Sequence, residues 1–469
     1  MVPTADAHDL VIIGGGPGGY SAALYGAAAG LDVAMIENRR LGGTCLNRGC
    51  IPAKELLQTA EVARTVSESG RFGITASGDV TLDFSASTDR MWSVVDQLVK
   101  GLGGLLKSRK VTLYDGTGAL TPDSDVTVTG ADDKSMTLAA DNVLLASGSV
   151  PRTLPGFDVS DRVLTSDEVF SLDHMPDRVV VIGGGAIGCE FASMFADLGA
   201  TVTILEALPA ILPGVDADLV KLVHRAFEKR GITIRTGVTV EGQETSGAAI
   251  TVRVEGGDAV TADTVVVSIG RRPLSDSLGL DGTGVEVDGR GFVVVDEWCR
   301  TAVDKVFAVG DLVATPGLAH VAYAESIMVI KQIMGEEATP VDYGKVPWCV
   351  YCHPEVAFVG LTEEAAKEAG HEVVVSKHRW MGNGRALILG ETEGMVKVIA
   401  ERSDDGTGGR ILGVHMAGPW VTEQLGQGYL AVNWEATVDE VAAFIQPHPS
   451  LSENFGETVL SLTGRGLHG

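Results

Sequence analysis

Cys45 and Cys50 lie five positions apart in the run Gly42-Gly43-Thr44-Cys45-Leu46-Asn47-Arg48-Gly49-Cys50-Ile51-Pro52-Ala53-Lys54. A glycine loop, Gly14-Gly15-Gly16-Pro17-Gly18-Gly19, precedes them. Two thiols beside a dinucleotide site can carry an electron pair as a disulfide and exchange it with the cofactor. Only the thiolate is a good nucleophile. The Leu41–Thr44 turn predicts a helix start around the two cysteines, whose partial positive charge lowers a thiol pKa. Two buried structural cysteines are the bland alternative, and the flanking glycines and Lys54 count against it. A second candidate stands near the other end. Prolines bracket His448, one of ten histidines, and Glu453 follows five residues later. A carboxylate on one ring nitrogen fixes the tautomer and makes the other nitrogen a better base.

These groups need a scaffold, and the chain writes part of it twice. Leu10–Ile13 reads as a buried strand, followed by Gly14, Gly16 and Gly19 in a Gly-x-Gly-x-x-Gly turn, an alanine-rich helix, and a strand ending on Glu37. The unit recurs as Val179–Ile182, then Gly183, Gly185 and Gly188, a helix, and Thr201–Leu205 ending on Glu206. Both the first glycines and the terminal acids are 169 residues apart. In such a unit the first glycine permits a tight turn and the second lets the backbone approach a pyrophosphate. The third lets helix and strand pack, and the pyrophosphate meets the positive helix end. The terminal acid accepts hydrogen bonds from a ribose. Two βαβ units imply two dinucleotide sites. Glu206 would repel an extra ribose phosphate, and Ala207–Ala210 offer no arginine to hold one, so NAD is expected at the second site. Val306–Val309 reads as a strand leading into Gly310-Asp311. Val143–Gly148 and Val265–Gly270 read as strands ending at glycine, where the chain crosses between domains. The boundaries implied are 1–150, 151–272, 273–344 and 345–469.

Composition narrows the classes. A chain of 469 residues is too long for one core. Apolar content of 45% and charged content of 21% suit a globular protein. The formal charge of −26 excludes a nucleic-acid partner, because binding phosphates requires a basic surface. It suits a basic docking partner, although solubility alone accounts for it. No stretch reaches the length of a membrane span, and the start shows no secretory pattern. A cytoplasmic setting is therefore expected, in which a bonded cysteine pair is more often catalytic than structural. Cys349-Val350-Tyr351-Cys352-His353 matches the haem-attachment spacing but lies in the strand-like run Val346 to Phe358. A zinc site would need two more ligands nearby. Neither haem nor metal is expected.

These residues resemble the flavoprotein disulfide reductase family over nearly the whole chain, and most closely its dihydrolipoamide dehydrogenase branch. The resemblance implies an α/β fold with two Rossmann-like dinucleotide-binding domains and a C-terminal α+β dimerisation domain. It assigns FAD to the first loop with Glu37, Gly148, Asp311 and Ala319. It assigns NAD to the second loop with Glu206 and Gly270. Cys50 would face the flavin, and Cys45, nearer the outside, would exchange with substrate. Lys54 would pair with Glu190 near the flavin. His448, oriented by Glu453, would act as base from the second subunit of a homodimer. The activity implied is oxidation of protein-bound dihydrolipoamide with reduction of NAD. The partner implied is a lipoyl-bearing acyltransferase or carrier protein of a 2-oxoacid dehydrogenase or glycine-cleavage complex. Two alternatives stay open: an NADH-dependent reductase of another small disulfide, and a non-catalytic flavoprotein subunit. Ala53, Ser147 and Gln446 depart from the family's usual residues, with only local packing expected to change.

Overall fold

A computed structural model describes residues 6–75, 81–247 and 249–468. Its first parallel sheet has the strand order Val306–Ala308, Val143–Leu145, Leu10–Ile13, Val33–Glu37, Thr112–Asp115. The central strands are apolar at nearly every position because both faces of such a sheet are covered. Pro17 opens the helix Pro17–Ala29, where its missing N–H costs nothing, and Gly30 ends that helix in the left-handed region. The second parallel sheet has the order Val163–Thr165, Thr264–Val267, Arg178–Ile182, Thr201–Glu206, Thr233–Thr236. In each sheet the strand before the glycine loop is third and the strand ending on the acid is fourth. The duplication in sequence is thus a duplication in space.

The strands leading to Gly148 and Gly270 are the second strands of the two sheets. Their continuations, Ser149–Pro151 and Arg271–Pro273, pair antiparallel, so the two chain crossings brace each other. The edge strand Val306–Ala308 completes the first sheet from far downstream, and Gly310–Leu312 turns directly after it. The C-terminal region is a five-stranded antiparallel sheet in the order Trp348–Val350, Glu355–Gly360, Gly408–Gly418, Met395–Arg402, Val373–Arg379. Helices Val421–Asn433 and Ser452–Ser461 accompany it. The architecture is the expected α/β class, two Rossmann-like domains with a C-terminal α+β domain.

One expectation fails. The run Val346 to Phe358 is not a single strand but two, joined by a turn at Tyr351–Pro354. Pro354 lacks an N–H for a ladder, and the His353 N–H bonds Ser193 Oγ at 2.9 Å instead. The cysteines of the haem-like motif therefore part, with Cys349 half-buried and Cys352 buried. Among the described residues no group of histidine, cysteine or acid side chains could hold a metal ion.

Candidate active site

The two glycine loops are built alike to the atom. A Cβ on Gly19 would lie 1.7 Å from the Gly14 carbonyl oxygen, and one on Gly188 would lie 1.9 Å from that of Gly183. Gly14 and Gly183 turn at φ 111° and 106°, where an L side chain is strained. Gly15 N donates to Glu37 Oε2 at 2.8 Å and Arg39 N to Oε1 at 2.9 Å. Gly184 N donates to Glu206 Oε2 and Leu208 N to Oε1, both at 2.6 Å. Each carboxylate oxygen keeps acceptor capacity for a ribose hydroxyl.

The surroundings fit dinucleotides. A Cβ on Gly148, Gly185 or Gly270 would meet nothing within 4 Å, and one on Gly16 only the Gly43 Cα at 3.8 Å. The helix N-termini after both loops therefore face open space. Asn47 Oδ1 is buried without a protein partner, while its Nδ2 holds the carbonyls of Leu41 and Gly43. An acceptor is left there for a bound group.

Cys45 and Cys50 do not share one helix. Cys45 lies inside the short helix Gly43–Arg48. Gly49 breaks the path at φ −149°, ψ −107°, and Cys50 is the first residue of the 18-residue helix Cys50–Ser67, the thiol helix. Two helix starts thus stand where one was expected, with Cys45 in the first turn of one helix and Cys50 opening the other. Both are free thiols. In the single chain Cys50 is exposed and Cys45 half-buried. The kink at Gly49 brings Cys50 out of the turn that encloses Cys45. A hydrogen bond from the Cys45 thiol, helped by Lys54, overcomes burial and brings Cys50 down to about 7. The same bond to Cys50, together with burial, pushes Cys45 well up.

Lys54 Nζ meets Glu190 Oε2 at 2.8 Å, as the resemblance implied. It also lies over the Tyr351 ring, 4.8 Å from the centroid. Burial alone would lower the Lys54 pKa, but Glu190 outweighs it and the net shift is upward. Glu190 Oε1 accepts from Tyr351 N at 2.9 Å. At the other end of the chain His448 Nδ1 and Glu453 Oε1 are 2.7 Å apart. Glu453 also accepts from Ser450 N at 2.7 Å, and these bonds hold its carboxyl low against burial. The His448 side chain is 78% exposed. Asp311 Oδ2 accepts from Ser149 Oγ at 2.6 Å, and Ala319 opens the helix Ala319–Ile333.

Sequence reasoning missed several groups. Arg271 donates to Ser149 Oγ and to the Ser149 carbonyl, both at 2.8 Å, and reaches Asp167 at 3.3 Å and Thr44 at 3.5 Å. It thereby joins the two chain crossings to the cysteine turn. Glu325 is fully buried and receives Gly310 N at 2.7 Å, Thr315 Oγ1 at 2.8 Å and Tyr343 OH at 2.9 Å, fixing the turn that presents Asp311. Tyr20 and Tyr323 share a hydrogen bond between their hydroxyls. Burial first, then their mutual bond and the nearby thiols, pushes Tyr20 up, so it stays neutral. Only Arg271 left a signal, as a cation one residue past the glycine that ends a strand.

The paired loops and the adjoining dithiol define a class. The family model for pyridine nucleotide-disulphide oxidoreductases matches residues 8–326, and that for their dimerisation domain matches residues 346–459. A dihydrolipoyl dehydrogenase of Bacillus subtilis is 40% identical over 478 residues, with 99% of this chain and 100% of the relative covered. Dihydrolipoyl dehydrogenase 2 of Haloarcula marismortui is 36% identical, with 98% of each covered. Among solved structures, LpdA from Mycobacterium tuberculosis superposes with a TM-score of 0.91 at 26% identity, covering 98% of this chain and all of that one. RclA from Escherichia coli, a flavoprotein disulfide reductase induced by HOCl, gives 0.86 at 28%, covering 96% of this chain and 99% of that one. The chain belongs to the dihydrolipoyl dehydrogenase family of pyridine nucleotide-disulphide oxidoreductases. It is an enzyme that uses FAD and NAD and forms a homodimer. Among the described residues no helix is long and apolar enough to cross a membrane.

Proposed function

We propose that this chain oxidises protein-bound dihydrolipoyl groups through the Cys45–Cys50 pair, with His448 of the partner subunit as base and Glu453 as the acid that orients it. The observation carrying this reading is geometric: Cys50 opens the thiol helix just after Cys45, Lys54 stands one turn on and is paired with Glu190, and His448 is bonded to Glu453. The Lys54 charge favours a Cys50 thiolate when the disulfide opens.

In the oxidised enzyme His448 Nε2 takes a proton from a substrate thiol, while Glu453 Oε1 on Nδ1 stabilises the imidazolium. The substrate thiolate attacks Cys45 Sγ. The Cys45–Cys50 bond breaks, a mixed disulfide forms, and Cys50 leaves as the thiolate. The second substrate thiol then attacks the substrate sulfur of that mixed disulfide. The lipoyl ring closes as the second thiol's proton passes to the departing sulfur, so Cys45 leaves as a thiol while His448 keeps the first proton. The substrate loses two electrons and two protons; one proton rests on Cys45, one on His448, and Cys50 is the thiolate. Lys54, four residues from Cys50 on the thiol helix, supplies positive charge beside the thiolate. Bound FAD would supply the acceptor for this electron pair, and bound NAD the final hydride acceptor. Gly14, Gly16, Gly19, Glu37, Gly148, Asp311 and Ala319 would hold FAD. Gly183, Gly185, Gly188, Glu206 and Gly270 would hold NAD.

The physical partner is a lipoyl-bearing acyltransferase core or carrier protein, and the setting a reducing cytoplasm. Support comes from the family membership and from an acidic chain suited to a basic docking surface. The test compares turnover with dihydrolipoamide, glutathione and related thiols for the native enzyme and the Cys45→Ser variant. Dihydrolipoamide should be strongly preferred, and the variant should keep its flavin and lose turnover. Equal rates for all thiols, or an active variant, would overturn the reading.

A further inference from the structure

The helix after the NAD loop, Ala186–Asp197, packs on the thiol helix through two ion pairs, of which the mechanism uses only one. The unused pair is Arg64 Nη1 to Asp197 Oδ2 at 2.6 Å. It is largely buried, with side-chain exposures of 17% and 10%. Asp197 Oδ1 also meets Arg230 Nη2 at 2.5 Å, so one carboxylate serves two guanidinium groups. Arg230 in turn donates to the His353 carbonyl at 2.6 Å and to Ser193 Oγ at 3.1 Å. Ser193 Oγ accepts from His353 N at 2.9 Å, and Glu190 accepts from Tyr351 N.

Glu190, Ser193 and Asp197 recur at helical spacing, so they form one face. That face receives Lys54 and Arg64 from the thiol helix and the Tyr351–His353 turn from the C-terminal domain. Ala53, Leu56 and Ala60 of the thiol helix share an apolar core with Phe191 and Phe195 of the other helix, and the ion pairs add directional contacts along that seam. Lys54 and Arg64 are ten residues apart, about 15 Å along a helix. Glu190 and Asp197 are seven apart, about 10 Å. The second pair therefore ties down the far end of a seam whose near end is held by Lys54 and Glu190.

We propose that Arg64 and Asp197 are positioning residues for the nicotinamide step, holding the NAD loop in register with the thiol helix while taking no part in dithiol exchange. This rests on the proposed function, since it divides that reaction into its two halves. A displacement of about 1 Å at a reacting centre costs on the order of a hundredfold in rate. Dithiol exchange involves only the thiol turn and the partner subunit's His448, which the pair does not touch.

The test uses the FAD-loaded dimer with Arg64→Gln, which keeps the Asp197–Arg230 pair and avoids two unpaired guanidinium groups. Three quantities are read: reduction of the enzyme by dihydrolipoamide, its reoxidation by NAD, and hydrogen exchange in residues 186–197 together with NAD affinity by calorimetry. The expected result is a fall of about tenfold or more in the NAD step, with weaker NAD binding and faster exchange in that helix. Reduction by dihydrolipoamide stays within twofold of the native rate, and Arg64→Lys recovers part of the loss. Equal slowing of both halves would mean general loosening and overturn the proposal. So would an unchanged NAD step and NAD affinity. Failure of dihydrolipoamide to reduce even the native enzyme would sink the proposed function instead, and the two failures are distinct.

Discussion

In the reduced protein Cys50 should titrate near neutrality, and replacing Cys45 by alanine should move it more than replacing Lys54. The Cys45 thiol donates to the Cys50 sulfur, and this bond is the largest influence that brings Cys50 down to about 7. A hydrogen bond to a charged group contributes about 1.5–3 kcal/mol. At about 1.4 kcal/mol per pKa unit, losing it raises the Cys50 midpoint by roughly one to two units. In Lys54→Met the lost cation lies one helical turn away. An opposite charge at close range shifts a pKa by about one to three units. Glu190 already offsets part of that charge and Lys54 is one-third exposed, so the low end, about one unit, applies. The sign is upward in both variants, because each change removes something that favours the thiolate. At neutral pH the reactive fraction in Cys45→Ala falls from about half to about a tenth or less. The assay is alkylation of the reduced protein with iodoacetamide across the neutral and alkaline range, each cysteine followed by peptide mass. A Cys50 midpoint in Cys45→Ala no higher than the native one would refute the reasoning.

Gly188→Ala and Gly185→Ala should fail differently. The first places a methyl 1.9 Å from the Gly183 oxygen and should lower thermal stability, while the second meets no protein atom and should keep the melting temperature and weaken only NAD binding. Glu206→Ser removes the acceptor fixed by Gly184 N and Leu208 N. It should raise the KM for NAD by about tenfold, the effect of about 1.4 kcal/mol, and raise the NADP-to-NAD rate ratio in steady-state assays. The buried Lys397 gathers Asp216, Asp218 and Glu363, each at 2.8 Å. Against the upward pull of burial, which is largest at Asp218, lysine contacts hold Asp218 and Glu363 down to about 2, so their stabilisation is complete above the usual carboxylate range and is lost as pH falls toward 2. Because they share Lys397 and are partly exposed, the loss is about 3 kcal/mol for the pair, not the sum of two full shifts. Denaturant midpoints in that acid range should show the loss, and Lys397→Met should flatten the slope while lowering stability at neutral pH.

The sequence carried the parts of the site that are local. Gly14 to Glu37, Cys45 to Lys54 and His448 to Glu453 each do their work within one short stretch, where spacing fixes geometry. The helix break at Gly49 was not legible, because a glycine between two helical runs does not say which thiol will open the second helix. Nor was the turn at Tyr351–Pro354, where the apolar alternation ran on past a proline that the ladder could not use. The groups missed altogether bond across long separations. Arg271 finds Ser149, Asp167 and Thr44 on three other segments. Glu325 reads as an ordinary helical acid until the 310–315 turn folds over it. Its burial would be costly without the three donors it receives. Such partners become visible only once the sheets have set which segments meet.

The two copies of the nucleotide unit show where function entered a repeated scaffold. After each terminal acid the chain returns over its glycine loop and makes the same bond: Gly42 N to Gly15 O at 2.9 Å, and Leu212 N to Gly184 O at 2.7 Å. Up to that point the copies are interchangeable in outline. Just beyond it they diverge. In the first copy Gly43, which has no side chain to hold it off, closes on Gly16 and leads into Cys45. In the second copy the corresponding stretch leads to Asp216, which caps the next helix and is locked by Lys397 of the C-terminal sheet. The same return segment thus carries the proposed redox dithiol in one copy and a domain anchor in the other. The placement follows from the sheet: a segment crossing the mouth of a nucleotide loop is already beside the cofactor, so a dithiol there needs no further element to position it, whereas the second copy must be held at a fixed angle to the first for electrons to pass between them.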